Sequence, residues 1–392
     1  MLIKAAQRKC VHLFKDVFLF SGITFLCIII LRSPQLSAKG AQLGIKFCLE
    51  ILVPSLFPFM VLATFVIQSG LSEKLGKLLA PIVKKVFHLP GCTGATILLG
   101  LLGGYPTGAI GVNELYRQKK ITAKQAEQLL LFTVCSGPAF VVGTIGTQLS
   151  ANQPFGVTLF VAQLISAIIL GILTGFFYKN STASSITVKA KKVSFSGALV
   201  NSCLSANKAI LNMCAFVVLF SAFLSIVNQI FFVKIILRFL EFFHVPLPII
   251  NSITSVFFEV TNGCSTIINN HAPIELIAFA LSWAGFCVHF QIFFIVEQIK
   301  FSKAKFFLAR LFHATLATII THILLHVFGQ QTAINTIKLI FSSSTANCYA
   351  SKGSVALIIL CVVFLLTTPS PELRRDTCER TKKGRSKNFL KK

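Results

Sequence analysis

Long apolar stretches, separated by short polar segments, set the pattern of this chain. Six of them are apolar enough to cross a membrane as unbroken helices, which need about 20 residues each. These stretches lie at roughly 17–32, 47–69, 155–178, 204–232, 306–328 and 354–368. Residues 71–87 instead place leucine, isoleucine and valine on one helical face with lysines opposite. That pattern predicts an amphipathic helix lying in the membrane interface.

Four further apolar stretches are interrupted by glycine, proline or polar residues. Residues 91–113 and 247–270 contain GGYPTG and EVTNGCS, and residues 125–149 and 274–299 contain SGPAF and SWAGF. Such interruptions leave backbone N–H and C=O groups without helical partners, and lipid offers no water to satisfy them. An ordinary kinked helix is the alternative for GGYPTG. The density of breaking residues favours two re-entrant hairpins, at 91–113 and 247–270, and two broken spans.

The lysines and arginines orient these elements, because cytoplasmic loops carry an excess of cations. The cations cluster in the N-terminal tail, at 74–85, 117–124 and 179–192, at 300–310 (Lys300, Lys303, Lys305 and Arg310) and after residue 373. This distribution predicts that both termini are cytoplasmic and that the segment between the spans 17–32 and 47–69 is an outer loop.

The two halves of the chain carry the same order of parts. An interfacial segment ends in Phe87-His88-Leu89-Pro90 in the first half and in Phe243-His244-Val245-Pro246 in the second, and each is followed by a re-entrant stretch and a broken span. The charge pattern gives the halves opposite orientation. We therefore predict an all-α polytopic membrane protein with about eight transmembrane helices plus two re-entrant helical hairpins, arranged as an inverted repeat.

This repeat divides the chain into six parts. The predicted parts are an N-terminal tail and anchor helix (1–40), a first repeat (41–178), a cytoplasmic linker (179–198), a second, inverted repeat (199–328), an outer loop with a last span (329–372) and a basic cytoplasmic tail (373–392).

Composition agrees with a membrane location. The chain is 54% hydrophobic and 12% charged, with a mean hydropathy of +0.78 and a net charge of +25. Because the cations lie between apolar runs, they indicate topology and contacts with anionic lipid at the loops and tail, and not nucleic-acid binding. The 12 cysteines are scattered without a Cys-x-x-Cys pair, so we expect no disulfide framework, metal site or cofactor. Homo-oligomerisation is left open.

Inverted repeats with broken helices are a common plan of secondary transporters, with the substrate site near the bilayer midplane where the breaks meet. The candidate site for a small polar solute therefore comprises the residues at and beside the breaks. They are Gly103, Gly104, Pro106, Thr107, Gly108, Asn113, Ser136, Gly137, Pro138, Glu259, Thr261, Asn262, Gly263, Ser282, Gly285, His289 and Gln291.

Two candidates have alternative interpretations. Glu259 would be expensive to bury as an unpaired ion, so it either couples transport to a cation or proton, hydrogen-bonds to substrate, or accepts backbone N–H groups at its own helix break. His289 either lines the cavity, together with Gln291, or holds two helices together through a hydrogen bond.

Several of these motifs resemble a known family. GGYPTGA followed by an acidic residue, then AEQLL and CSGPAFVVGTIG, is similar to the sporulation integral membrane protein YlbJ family, and FFEVTNG and AGFCVHFQ resemble its second-half signatures. The resemblance covers roughly residues 40–328. It implies a nucleoside-recognition (Gate) domain and a protein of the bacterial cell membrane that endospore formers need for spore development, with no settled substrate.

Three functions are compatible with these features. A transporter-like permease for a small polar or nucleoside-like solute explains the repeat and the breaks. A non-transporting membrane factor for spore cortex or envelope assembly is the alternative. An intramembrane enzyme acting on a lipid-linked precursor ranks last, because the sequence has no His-Glu-x-x-His motif and only two aspartates, Asp16 and Asp376. We therefore expect no enzymatic activity.

Overall fold

The computed structural model describes residues 27–149, 153–178, 194–227 and 246–340, together with residues 20, 21 and 24. All regular secondary structure in these ranges is helical. Several predicted features lie outside the described residues: the N-terminal tail, most of the linker at 179–198, the amphipathic segment before Pro246, the last span at 354–368 and the basic tail.

Seven helices of the first half are numbered here, apart from the helical residues 27–32 and the 3₁₀ turn Gly91–Thr93. They are α1 (Pro34–Gln68, with a π-helical turn at Cys48–Leu52), α2 (Leu71–Phe87), α3 (Gly94–Leu102), α4 (Tyr105–Arg117), α5 (Ala123–Phe132), the π-helical α6 (Ala139–Leu149) and α7 (Gln153–Phe177).

The second half contains six helices in the part that the structure describes. They are α8 (Phe195–Val227), α9 (Leu247–Phe258), α10 (Val260–Asn269), α11 (Glu275–Trp283), α12 (Gly285–Ile295) and α13 (Lys303–Ile340).

Five of the described segments are long and apolar enough to cross a membrane: Pro34–Gln68, Pro154–Phe177, Phe195–Val227, Glu275–Ile295 and Lys303–Val327. Helix α2 and the segment Gly91–Leu102 would add a sixth if they formed one span, but they are bent by 108° relative to each other. The chain is therefore an all-helical, multi-pass membrane protein, and the total of eight spans stays a prediction.

Each of the four interruptions predicted from sequence ends a helix. Helix α3 stops at Gly103 and α4 starts after Gly104, while α9 and α10 are separated by Glu259 alone. Both of these helix pairs fold back into hairpins. Residues 133–138 separate α5 from α6, and Ala284 separates α11 from α12.

The segment between the first two predicted spans is not a loop but part of one continuous helix of 35 residues, Pro34–Gln68, and its location outside the membrane stays a prediction. Pro34 is tolerated at the first helical position, where its missing N–H would have no partner in any case. Gly40 and Gly44 then let α1 pack closely against α8. A Cβ on Gly40 would lie 2.5 Å from the Ser221 carbonyl oxygen, and one on Gly44 would lie 2.8 Å from the Val218 Cα.

Helix α5, the part of the first broken span that precedes the break, begins with a capping box. The Thr122 hydroxyl accepts the Gln125 N–H at 3.3 Å, and the Gln125 side chain accepts the Thr122 N–H at 2.9 Å. We expect Thr122→Ala to lower the free energy of unfolding by about 1 kcal/mol. Thermal unfolding of the detergent-solubilised protein checks this value, and Thr122→Ser, which keeps the hydroxyl, should behave as wild type.

The two halves interlock through several helix contacts. Helix α1 packs along α8, and α7 packs along α13. Helix α4 contacts α12 while α6 contacts α10, and α5 contacts α13 while α7 contacts α11. These contacts bring the four helix breaks into the centre of the described structure.

Candidate functional site

In the first half, the break of the broken span lies directly against the tip of the hairpin. A Cβ on Gly137 would be 3.0 Å from the Gly104 nitrogen and 3.2 Å from the Leu102 carbonyl oxygen. Gly104 itself adopts φ +94°, a conformation that side chains rarely allow. The backbone conformation favours glycine at Gly104, close packing favours it at Gly137, and the two interruptions form one backbone junction.

The second half builds a corresponding junction. Gly285 has φ +74°, and a Cβ there would lie 3.1 Å from the Glu259 nitrogen and 3.0 Å from the Phe258 carbonyl oxygen. The Trp283 indole N–H also donates to the Phe257 carbonyl oxygen at 3.3 Å. The α11–α12 break is therefore held against the α9–α10 break, as Gly137 is held against Gly104.

Glu259 is the N-cap of α10 and is only 1% exposed. Its Oε1 accepts the Thr261 N–H at 3.0 Å, and its Oε2 accepts the Asn262 N–H at 2.6 Å and the Asn262 side-chain amide at 2.8 Å. The Asn262 amide also donates to the Ser221 hydroxyl of α8. The sequence interpretation in which Glu259 satisfies its own helix break is confirmed, and Glu259 is also among the residues that line a cavity.

The break after α5 is satisfied by buried side chains of α7 and α13. Gln163 donates to the Ser136 carbonyl oxygen at 2.9 Å, and the Ser136 hydroxyl donates to the Gln163 side-chain oxygen. Arg310 donates to the Leu131 and Val134 carbonyl oxygens, which the end of α5 leaves without helical partners.

The prediction that Arg310 is a cytoplasmic loop cation is wrong. Its side chain is fully buried in α13, whereas Lys303 and Lys305 at the start of the same helix are exposed. Arg310 lies on the helical face that also carries Phe306 and His313, and that face packs inward. The bare carbonyls at the end of α5 give the guanidinium the hydrogen-bond acceptors that lipid lacks.

The C-terminal end of α11 is held by two side chains. The Tyr105 hydroxyl, at the start of α4, donates to the Leu281 carbonyl oxygen at 2.6 Å. His289 Nε2 lies 2.7 Å from the Trp283 carbonyl oxygen, and the ring is fully buried among aromatic side chains. His289 therefore holds helices together here, which was the second of its two interpretations.

Beside these junctions lies a cavity of about 20 Å³, which has room for about one water-sized group. Three of the four breaks contribute to its wall, and α1, α8 and α12 supply most of the other residues. The lining residues are Leu52, Leu56, Gly104, Tyr105, Ser136, Gly137, Phe140, Met213, Val217, Glu259, Val260, Thr261, Val288 and Gln291.

Six of the candidate residues from sequence line this cavity: Gly104, Ser136, Gly137, Glu259, Thr261 and Gln291. The other eleven do not, namely Gly103, Pro106, Thr107, Gly108, Asn113, Pro138, Asn262, Gly263, Ser282, Gly285 and His289. Several of these hold the breaks in place. Thr107 donates to the Gly103 carbonyl oxygen at 2.9 Å, and a Cβ on Gly263 would lie 2.8 Å from the Val256 Cα.

Eight lining residues were missed by the sequence analysis. Tyr105 and Val260 are direct neighbours of predicted positions and Phe140 is two residues from Pro138, so a wider window around each break would have found them. Val288 lies in α12, between the predicted His289 and the break, and Leu52, Leu56, Met213 and Val217 belong to unbroken helices. The apolar pattern of such helices carries no local signal of a site.

Comparison with known proteins agrees with this architecture. Residues 49–152, which include the first hairpin and the first broken span, match the Gate family, described as nucleoside recognition. Over 331 residues, covering 78% of this chain and 81% of the relative, the sequence is 24% identical to the sporulation integral membrane protein YlbJ of Bacillus subtilis (strain 168). No solved structure matches. The resemblance predicted from the motifs is thereby confirmed: this chain is a multi-pass helical membrane protein with a Gate-type region, and it is similar to YlbJ.

Proposed function

We propose that this chain is a transporter-like permease that binds a small polar or nucleoside-like solute between its broken helices. One observation carries the proposal: residues at three of the four helix breaks, together with two residues of α12, the helix that follows the fourth break, line a single cavity. Irregular backbone at membrane depth is tolerated where it is buried in protein or lines a cavity, and broken helices of transporters commonly form the substrate site.

The wall of the cavity has a polar part and an apolar part. The wall is mostly apolar, and the lining residues with polar side chains are Tyr105, Ser136, Glu259, Thr261 and Gln291. We propose that the cavity widens to admit a solute with a hydrogen-bonding edge and an apolar face, the two features that ligand sites commonly recognise. A nucleoside-like molecule has both, in agreement with the description of the Gate family.

The contacts between the halves support the inverted-repeat part of the proposal. In an inverted repeat that matches α4 with α10 and α6 with α12, the contact between α4 and α12 should have a counterpart between α10 and α6. Likewise, the contact between α5 and α13 should have a counterpart between α11 and α7. Both contacts of each pair are present. With the spans outside the described residues, this arrangement gives about eight transmembrane helices and allows the cavity to face either side of the membrane in turn.

The similarity to YlbJ supports a role in endospore formation, in the cell membrane of a spore-forming bacterium. The distribution of lysine and arginine supports cytoplasmic termini. The competing proposal, a non-transporting factor for cortex or envelope assembly, would use surface loops or the tail in place of the cavity.

A cavity-filling variant tests the proposal before the solute is known. Val217 of α8 lines the cavity and is 3% exposed, whereas Leu219 of the same helix is 60% exposed. In an endospore former that lacks its own YlbJ relative, we expect Val217→Phe to abolish formation of heat-resistant spores, because the larger ring occupies the solute volume. Leu219→Phe should complement as wild type does.

Membrane levels and thermal unfolding of both variants must match wild type for this comparison. Normal sporulation with Val217→Phe, combined with failure of a truncation after Pro371, would reject the permease and favour the assembly factor. If Val217→Phe fails and the truncation works, uptake of labelled nucleosides and nucleobases into proteoliposomes would then identify the solute.

A further inference from the structure

We propose that the cavity holds one positive charge against Glu259, carried either by an alkali cation or by an ammonium group of the solute. This inference rests on the proposed function, because it uses the same cavity, and it names the chemistry of the ligand. It follows from the charge of the cavity wall, the hydrogen bonds of the carboxylate and the oxygen atoms around it.

The cavity wall contains a negative charge and no matching positive charge. Among the lining residues, all of them in the described part of the chain, Glu259 is the one carboxylate, and none is lysine, arginine or histidine. The ion pairs found among the described residues use Glu50, Glu73, Glu114, Glu127 and Glu275. A buried carboxylate without an ionic partner is costly, so a cation that enters the cavity is attracted to it.

The hydrogen bonds of Glu259 favour the ionised form of its side chain. Both oxygens accept N–H groups at the start of α10, where the helix dipole also favours a negative charge. A protonated carboxyl would have to place its O–H toward these donors or find another acceptor. Oε1 accepts one of the three bonds and therefore keeps a lone-pair direction for a ligand.

The nearest large positive group is committed elsewhere. Arg310 is buried, but its guanidinium donates to the Leu131 and Val134 carbonyl oxygens and contacts His313 at 3.2 Å. Its charge is therefore matched by the C-terminal end of α5. Arg310 and Glu259 are each neutralised in part by a helix end, and of the two only Glu259 lines the cavity.

The other polar groups on the wall fit a small cation. Tyr105, Ser136, Thr261 and Gln291 line the same cavity and carry neutral oxygen atoms in their side chains, and hard cations prefer oxygen ligands. One carboxylate balances one positive charge, so a monovalent cation or a primary ammonium group leaves the cavity electrically neutral.

Two substitutions separate the charge of Glu259 from its role as a helix cap. Aspartate and asparagine are equally good N-caps, but only aspartate keeps the negative charge. We compare Glu259→Asp and Glu259→Asn in the full-length chain, with Glu297→Asn as the control because Glu297 is exposed and away from the cavity.

The measurement is the thermal unfolding midpoint of the detergent-solubilised protein at constant ionic strength. The reference salt is N-methylglucamine chloride, which supplies a large polyhydroxylated cation, and sodium, potassium, lithium or methylammonium chloride replaces it. We expect at least one small cation to raise the midpoint of wild type, Glu259→Asp and Glu297→Asn by roughly 3 °C or more. Glu259→Asn should unfold close to wild type without the cation and show no rise with it.

The pattern across salts assigns the source of the charge. A rise with sodium, potassium or lithium indicates a coupling cation, and a rise with methylammonium alone indicates an ammonium group on the solute. The inference is overturned if no salt shifts wild type or if Glu259→Asn responds as wild type does. If Val217→Phe fails to restore sporulation and no salt shifts the unfolding midpoint, only this inference is overturned. The permease proposal is then still supported.

Discussion

Replacing Arg310 with methionine is expected to lower the free energy of unfolding by about 3 kcal/mol or more, since charge-assisted hydrogen bonds are lost and buried carbonyls are left without donors. Methionine fills a similar volume but donates no hydrogen bond. The Leu131 and Val134 carbonyl oxygens would lose their donor, and so would the ring nitrogen of His313 that faces Arg310. Thermal and denaturant unfolding of the solubilised protein measure the loss.

The loss should extend to the cavity, because His313 and Gln163 connect Arg310 to Ser136. His313 Nε2 lies 3.2 Å from the Gln163 carbonyl oxygen, and the Gln163 amide donates to Ser136. The stability of Arg310→Lys should lie between those of wild type and Arg310→Met, since one ammonium group cannot donate to both carbonyl oxygens with the geometry of a guanidinium. We therefore expect Arg310→Lys to fold and to sporulate poorly.

Arg117→Met is the matched control for the loss of an arginine. Arg117 lies at the end of α4, is 68% exposed at its side chain and pairs with Glu114 at 2.9 Å. Exposed pairs contribute at most about 1 kcal/mol, so this variant should unfold near wild type. If Arg310→Met and wild type had the same free energy of unfolding, the carbonyl oxygens at the end of α5 would have other donors, and Arg310 would not stabilise the site.

The sequence was sufficient to locate the breaks, because the residues that interrupt helices are local. Glycine, proline and small polar residues inside an apolar run cannot all be helical at membrane depth. Glu259 could be singled out for the same reason, since an isolated carboxylate in such a run needs donors, and the nearest donors are the N–H groups of its own break. The all-helical, multi-pass fold follows from composition and segment length.

The sequence was not sufficient to tell which side of each helix faces the cavity. Met213 and Val217 line it because α8 packs beside the breaks, and their apolar neighbours on the same helix face outward. His289 and Gln291 are two positions apart in α12 and therefore point to different sides, so only one of them reaches the wall. Arg310 did carry a signal, because it is spaced four residues from Phe306 and three from His313 on one helical face.

The two backbone junctions allow a test in which the same substitution has graded effects. Glycine to alanine adds one methyl group, and its cost depends on backbone conformation and on the space around the new carbon. Gly285 combines φ +74° with backbone atoms 3.0–3.1 Å from the new Cβ. Gly137 has close backbone contacts, from 3.0 Å, without a positive φ. Gly70 has φ +78° in open space, and Gly143 has neither constraint.

Gly285→Ala should therefore be the most destabilising of the four, by about 3 kcal/mol, as the sum of left-handed strain and a backbone clash. Gly70→Ala should lose about 1 kcal/mol from strain alone, and Gly137→Ala about 1–3 kcal/mol from the clash alone. Gly143→Ala should be neutral or slightly stabilising, because alanine suits a helix better. Unfolding of the four solubilised variants under one condition gives the comparison.

Sporulation should rank these variants differently from stability. Gly137→Ala and Gly285→Ala each push a broken span away from its hairpin, so the wall around Ser136 or Glu259 must move. Gly70 lies between α1 and α2 and does not line the cavity, so Gly70→Ala should sporulate normally despite its strain. If Gly285→Ala cost no more than Gly70→Ala, the second junction would not be closely packed. If Gly137→Ala and Gly285→Ala both folded and sporulated as wild type does, the function would not depend on where the breaks meet.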